Sequence, residues 1–242
     1  MQQKNKMFIV SEMKTSDIII NNPYLMLMFE HFGINMEVHE KSVEQICFEN
    51  NISTGLFLMI ANLFNGYKAT PIIDYSSNEI QTIVHYLRNS HQYYLEEKYP
   101  QIQDYIKQIY QINNHPEILM IEKFFNKYFK EVREHLDYEN KVVFPHVLNL
   151  DNKLSHKNPE YTLSSYSVTE YREHHNDIEE KLTDLNNLLI KYMPQKGDQQ
   201  LRRKLLFCLF ELEYDLNIHS QIEDSILIPL VEKMEQRAIK SK

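Results

Sequence analysis

Glycine is scarce in this sequence, with 4 copies in 242 residues, against roughly 17 at an average usage of about 7%. Turn-rich all-β folds and glycine-rich phosphate loops both need more of it than this chain has. Cysteine is scarcer still: Cys47 and Cys208 stand 208 − 47 = 161 positions apart. That matches neither a disulfide scaffold nor a zinc ribbon, and points to a reducing compartment. Long apolar runs are missing too. The longest, Leu56 to Phe64, is broken by Asn62 and falls well short of the roughly 20 residues a membrane span requires. The first residues, MQQKNKMFIVSEMK, carry no apolar h-region with a cleavage site, so the expected location is the cytoplasm, with no membrane partner. Lys and Arg do not cluster, and the formal charge is 26 − 34 = −8, which argues against a nucleic-acid surface.

What is present is a globular composition, 43% apolar and 25% charged, patterned at helical spacing. Residues 1–13 read as a flexible tail. Residues 14–70 read as a small helical domain of short segments: one capped by Thr15-Ser16-Asp17, Tyr24 to Phe32 ending at Gly33, Ser42 to Asn50, and Thr54 to Asn65 behind Ser53. Gly66 to Ser77, with Pro71, has turn composition and marks the boundary. Residues 71–242 read as four long helices. The first starts at the capping box Ser76/Glu79 and is interrupted by Pro100; the second spans about 117–148 behind Pro116. A polar connection, Asn149 to Ser165, leads to a second box, Ser167/Glu170, and a third helix to Tyr192; the fourth runs from Asp198 to the end. The fold class expected is all-α: an antiparallel four-helix bundle preceded by the small helical domain.

Histidine is over-supplied, with 11 copies. Two blocks rhyme: His135-x3-Glu139-x5-Pro145 and His219-x3-Glu223-x5-Pro229. Each has a further histidine 44 residues upstream, since 135 − 91 = 44 gives His91 and 219 − 175 = 44 gives His175. The chain therefore reads as a duplicated helical hairpin. Residues four apart project from one helix face, so each motif presents an imidazole and a carboxylate to one point. His91, His135, Glu139, His175, His219 and Glu223 together suit two metal ions, with the carboxylates bridging and iron leading among Fe, Zn, Cu and Ni.

A single His-x3-Glu is usually an exposed intrahelical pair; the repeated proline offset and equal upstream spacing favour ligands. His174 competes with His175, but Ile178 and Leu182, three and seven residues on, favour His175. Glu179 is a weaker seventh candidate, in a charged run that reads as a solvated face. His115, before Pro116, fits a helix cap; His85, six residues before His91, projects from a different face and reads as packing or solvent-facing; and His31, His39, His146 and His156 read as surface or locally satisfied residues. Tyr86, Phe125, Tyr128 and Phe144 read as core. No nucleophile triad, P-loop or dinucleotide fingerprint is present.

Residues 76–236 resemble the hemerythrin-like HHE cation-binding family and, within it, the iron–sulfur cluster repair di-iron proteins. The resemblance is carried by IVHYLRNSHQYYLEEKYPQI, NNHPEI, HLDYENKVVFP, YREHHNDIEEKL and HSQIEDSILIP in that order. It implies that His91, His135, His175 and His219 are terminal ligands of two iron ions, in an oxo- or hydroxo-bridged centre with Glu139 and Glu223 bridging. It further implies O2 or NO as small ligands, iron–sulfur proteins as clients, and a role in nitrosative or oxidative stress and cluster repair; a homodimer is compatible with it. The segment NNPYLMLMFEHFGINMEVHEKSVEQICFENNIS resembles the short ScdA-type domain that precedes such bundles. Where that domain carries a Cys-Cys pair, this chain reads Gly33-Ile34-Asn35-Met36-Glu37-Val38, and Gln111 stands where repair proteins place a further histidine. The alternative is a binding or sensing protein, in which O2, NO or iron occupancy changes contacts of the N-terminal module without turnover.

Overall fold

In a computed structural model, the structure describes residues 7–69, 76–155, 168, 171, 178–194 and 196–240. Among them the chain is all-helical, and the only extended pairing is one isolated antiparallel bridge between Lys14 and Ser42. No helix of the described residues is long and apolar enough to cross a membrane.

The N-terminal segments form helices α1 (Thr15–Asn21), α2 (Leu25–His31), α3 (Val43–Glu49) and α4 (Thr54–Phe64). Local chemistry sets their ends. Ser42 and Gln45 close a reciprocal capping box at α3, and Ser53 accepts from the Leu56 amide at α4. The expected cap at Thr15–Asp17 is displaced: Thr15 is already helical and buried, and Lys14 holds the cap position without a side-chain bond. Gly33 and Gly66 end α2 and α4 at φ +72° and +73°. There Ile34 N–H reaches Phe29 O and Tyr67 N–H reaches Asn62 O, both at 2.9 Å, the 6→1 bond of a left-handed C-cap. With Gly197 at φ +74°, three of the four glycines are placed where a Cβ would be strained.

The long helical runs follow: α5 (Ser77–Gln92), a π-helical segment π1 (Tyr93–Lys98), α6 (Tyr99–Asn113), α7 (Pro116–Tyr138), π2 (Glu139–Val143), α8 (Phe144–Leu154), α9 (Ile178–Tyr192), α10 (Gln199–Ile222), π3 (Glu223–Leu227) and α11 (Ile228–Lys240). The Ser76/Glu79 box is formed, with Ser76 N–H donating to Glu79 Oε2 at 2.8 Å. α8 runs past the expected end to Leu154, because Asp151 within it is buried and accepts from Ser77 Oγ at 2.5 Å. The Ser167/Glu170 box lies outside the described residues.

Each π segment precedes a proline: Pro100, Pro145 and Pro229 are the second residues of α6, α8 and α11. A proline has no N–H to give, and its ring crowds the carbonyl four residues earlier. Those carbonyls belong to Glu96, Lys141 and Ser225, all inside the π segments. Widening the turn to an i→i+5 pattern relieves the clash without breaking the helix. Pro100 therefore changes the helical register and does not end the run.

The chain divides into two compact units. One comprises Met1–Asn89, Val143–Arg172 and Ile218–Lys242. Its core includes Phe29, Phe57, Phe32 and Tyr86, with Phe29 edge-on to Phe57 at 5.4 Å and Phe32 against Tyr86 at 4.8 Å. In it α8 packs on α11, where His146 Nε2 meets Glu235 Oε1 at 3.0 Å. The other unit comprises Ser90–Val142 and Glu173–Asn217. There α6 and α7 form a tight antiparallel pair, Tyr99 stacking on Phe129 at 4.5 Å, and α7 packs on α9. The turn after α9 is held from both sides. Arg202 Nη1 donates to Met193 O at 3.0 Å, Arg202 Nη2 pairs with Asp198 at 3.2 Å, and Asn113 Nδ2 donates to Pro194 O at 2.9 Å and to Asp198 Oδ2 at 3.0 Å.

Candidate metal centre

Helical spacing and the π segments decide how the motifs present their side chains. His91 lies two residues before π1, while Glu139 and Glu223 are the first residues of π2 and π3. Such wide turns recur at functional sites, because they re-aim side chains without breaking a helix. Glu139 is 0% exposed, Glu223 and His91 1%, and His219 5%.

These four residues each offer one ligand atom, and all four atoms lie within 4.8 Å of one another. Within the motifs the geometry is closer. His91 Nε2 stands 3.2 Å from Glu139 Oε2, His135 Nε2 stands 3.0 Å from Glu139 Oε1, and His219 Nε2 stands 3.3 Å from Glu223 Oε1. Each oxygen of Glu139 thus faces a different imidazole. His135, partly exposed, is outside the tight group of four but shares its carboxylate.

The donor set suits a cation on two grounds. Two carboxylates are withdrawn from water, and a buried anion requires compensating positive charge. The spacing also fits: two donors about 2.1 Å from one ion, at ordinary coordination angles, stand about 3.0–3.4 Å apart. The observed nitrogen–oxygen separations are 3.0–3.3 Å. Imidazole nitrogen with carboxylate oxygen is a set used by Fe, Zn, Cu and Ni.

His174, His175 and Glu179 lie outside the described side chains, as does His156. His115 is half-exposed and contacts Glu117, making no side-chain capping bond. His146 is buried on Glu235, His31 is buried edge-on to Tyr86, His39 pairs with Glu37, and His85 is exposed beside Asn89. Tyr86, Phe125, Tyr128 and Phe144 are buried, and Gln111 is exposed. Burial pushes the Cys47 and Cys208 thiols up to about 11, so neither is poised as a thiolate nucleophile.

The sequence reading passed over one buried pair. Tyr94, three residues after His91, donates its phenolic hydrogen to Asp215 Oδ2 at 2.8 Å, and both residues are buried. Asp215 precedes His219 by four, as His219 precedes Glu223, so the i+4 column continued one step beyond the recognised motif.

An all-helical chain carrying a buried His/Glu cluster able to bind a metal ion is the class this fold and site define. No protein-family model matches the chain. The iron-sulfur cluster repair protein ScdA of Staphylococcus haemolyticus (strain JCSC1435) is 20% identical over 148 residues, which cover 60% of this chain and 64% of that protein. The chain therefore matches less than two thirds of that relative's length.

Proposed function

We propose that the chain is a non-haem di-iron protein of the hemerythrin-like kind, acting in nitrosative or oxidative stress and supporting iron–sulfur cluster repair in the cytoplasm. In this reading residues 71–242 form a four-helix bundle behind a small helical domain at 14–70. His91, His135, His175 and His219 are the terminal ligands, and Glu139 and Glu223 bridge two irons. The observation that carries it is Glu139, whose two oxygens face two different imidazoles, 3.2 and 3.0 Å away. The similarity to a protein named for cluster repair supports the physiological assignment.

A bound di-iron pair would supply one-electron chemistry toward O2 or NO. The chain's part is to hold His91, Glu139, His219 and Glu223 away from bulk water, where charge on the two carboxylates requires compensation. π2 and π3 set the direction of both glutamates. The test is elemental analysis of protein purified anaerobically from iron-replete cells. About two irons per chain is the expected result; one zinc or no metal removes the di-iron reading.

A second reading, a sensor that binds without turnover, has one observation in its favour. The N-terminal helices are latched to α5 close to His91: Asn89 Nδ2 donates to His31 O at 2.8 Å, beside the His31–Tyr86 and Phe32–Tyr86 ring contacts. Reversible ligand binding, with a change in protease sensitivity of residues 14–70 and no product formed, would select it.

A further inference from the structure

Two adjacent tyrosines on π1 each donate a hydrogen bond to a carboxylate of α10. Tyr94 Oη donates to Asp215 Oδ2 at 2.8 Å, and Tyr93 Oη donates to Glu211 Oε1 at 2.7 Å. The two rings stand 5.8 Å apart between centroids. Glu211 and Asp215 are four residues apart on one helix face, which His219 and Glu223 continue. The column therefore grades from the protein's surface inward. Glu211 is 33% exposed at its side chain and is held by Lys98 Nζ at 2.7 Å, whereas Asp215 is buried.

A buried tyrosine has a packing use for its ring, and one hydrogen bond satisfies its hydroxyl. Packing alone does not account for burying a carboxylate as the partner, because a neutral acceptor would satisfy the phenol at lower desolvation cost. Nor does it account for the same pairing twice on consecutive residues. Oxidising a phenol by one electron makes its proton strongly acidic, so the step is fast only where a base already holds that proton. Each tyrosine here has its own carboxylate in that position.

We infer that Tyr94 and Tyr93 form a two-station relay carrying an oxidising equivalent from the buried His/Glu cluster to the surface, with Asp215 and Glu211 as proton acceptors. In the first step Tyr94 gives one electron to a one-electron oxidant and its phenolic proton to Asp215, leaving a neutral tyrosyl radical and a protonated acid. In the second, Tyr93 gives one electron to the Tyr94 radical and its own proton to Glu211, while Tyr94 recovers its proton from Asp215. The radical ends on Tyr93, 7% exposed, beside the partly exposed Glu211 carboxylate, the station of the pair nearest a soluble reductant. The direction of flow rests on the proposed metal function; the pairing of phenols with carboxylates does not.

The test is flash-quench oxidation of the full chain by photoexcited ruthenium tris-bipyridine with persulfate, read by tyrosyl-radical absorption and electron paramagnetic resonance. It is run on chelator-treated and iron-loaded protein. The chain has 16 tyrosines, so the readout is the long-lived fraction of the signal. Tyr94→Phe, which keeps the ring, shortens that lifetime by about tenfold, the kinetic weight of one hydrogen-bonded proton acceptor. Asp215→Asn, which keeps an acceptor oxygen but takes up no proton, shortens it as well. Tyr93→Phe lengthens it, because the exit is removed. Opposite signs from two neighbouring residues are not produced by a shared structural role. Equal lifetimes in wild type, Tyr93→Phe and Asp215→Asn overturn the relay even if Tyr94→Phe does not fold. Metal content is measured on the same samples. Unequal lifetimes in protein that takes up no iron on loading remove the iron reading and keep the relay, and equal lifetimes with two irons bound remove the relay alone.

Discussion

Glu139 stands between His91 and His135, offering Oε2 to the first at 3.2 Å and Oε1 to the second at 3.0 Å, with no exposed surface. Replacing it by Gln keeps the shape and removes the charge. The expected outcome is loss of at least half the bound metal by elemental analysis. Glu139→Ala, and likewise Glu223→Ala, should lose metal and stability together, since binding energy is folding energy where ligands come from separate helices. Unchanged metal in both alanine variants would contradict the bridging role.

The prolines after the π segments should matter to the metal more than to the fold. Pro229→Ala restores an N–H and removes the ring from the Ser225 carbonyl, allowing an ordinary α-turn through residues 223–227. Circular dichroism should show undiminished helix, while metal per chain falls as Glu223 rotates out of register. Full metal content in this variant would mean that the cluster, not the proline, imposes the wide turn.

Arg202 is the buried cation that fixes the turn after α9. Removing it leaves Asp198, which is 0% exposed at its side chain, without that charge partner. Arg202→Ala should therefore cost about 3–5 kcal/mol in urea unfolding. The exposed pair Lys141–Asp137 serves as the contrast, with Lys141→Ala changing stability by no more than about 0.5 kcal/mol.

The two buried thiols give a pH dependence with a definite sign. Burial raises Cys47 and Cys208 to about 11, above the value of about 8.5 for a free cysteine. Between those values the unfolded chain releases thiol protons that the folded chain retains, so stability falls as pH rises from about 8.5 towards 11. Denaturant midpoints across that range should decline in wild type and decline less in a Cys47→Ala/Cys208→Ala variant. At pH 8 the native protein should resist alkylation that goes to completion in denaturant.

Much of this was legible in the sequence. The capping box at Ser76, the cap at Ser53, the glycine stops at 33 and 66, and the end of the third long helix at Tyr192 follow from local chemistry and appear in the structure. The His-x3-Glu repeat located Glu139, His219 and Glu223, and the 44-residue upstream spacing located His91; these four converge. The π segments were not legible, because a change in hydrogen-bond register leaves the hydropathy pattern nearly intact; only the matching proline offsets hinted at them. α8 was cut short in the reading because Asn149-Leu150-Asp151-Asn152 looks polar, whereas Leu150 is core and Asp151 is buried against Ser77. Asp215 was missed because it is one of three acidic residues in a short stretch with Glu211 and Glu213, with no histidine four residues before it to mark it, yet it is buried on Tyr94.

A π segment amounts to one extra residue accommodated within a helix, and a helix turns about 100° for every residue. Deleting a single position from 223–227 would swing the whole of α11 by that angle and carry Glu235 away from His146, which it now meets at 3.0 Å. The same deletion would free the Val168 amide, which donates to Glu235 Oε1 at 3.0 Å. The chain is thus intolerant of changes in the length of these helices, and gaps in an alignment of related chains should avoid the stretches between each glutamate and its proline.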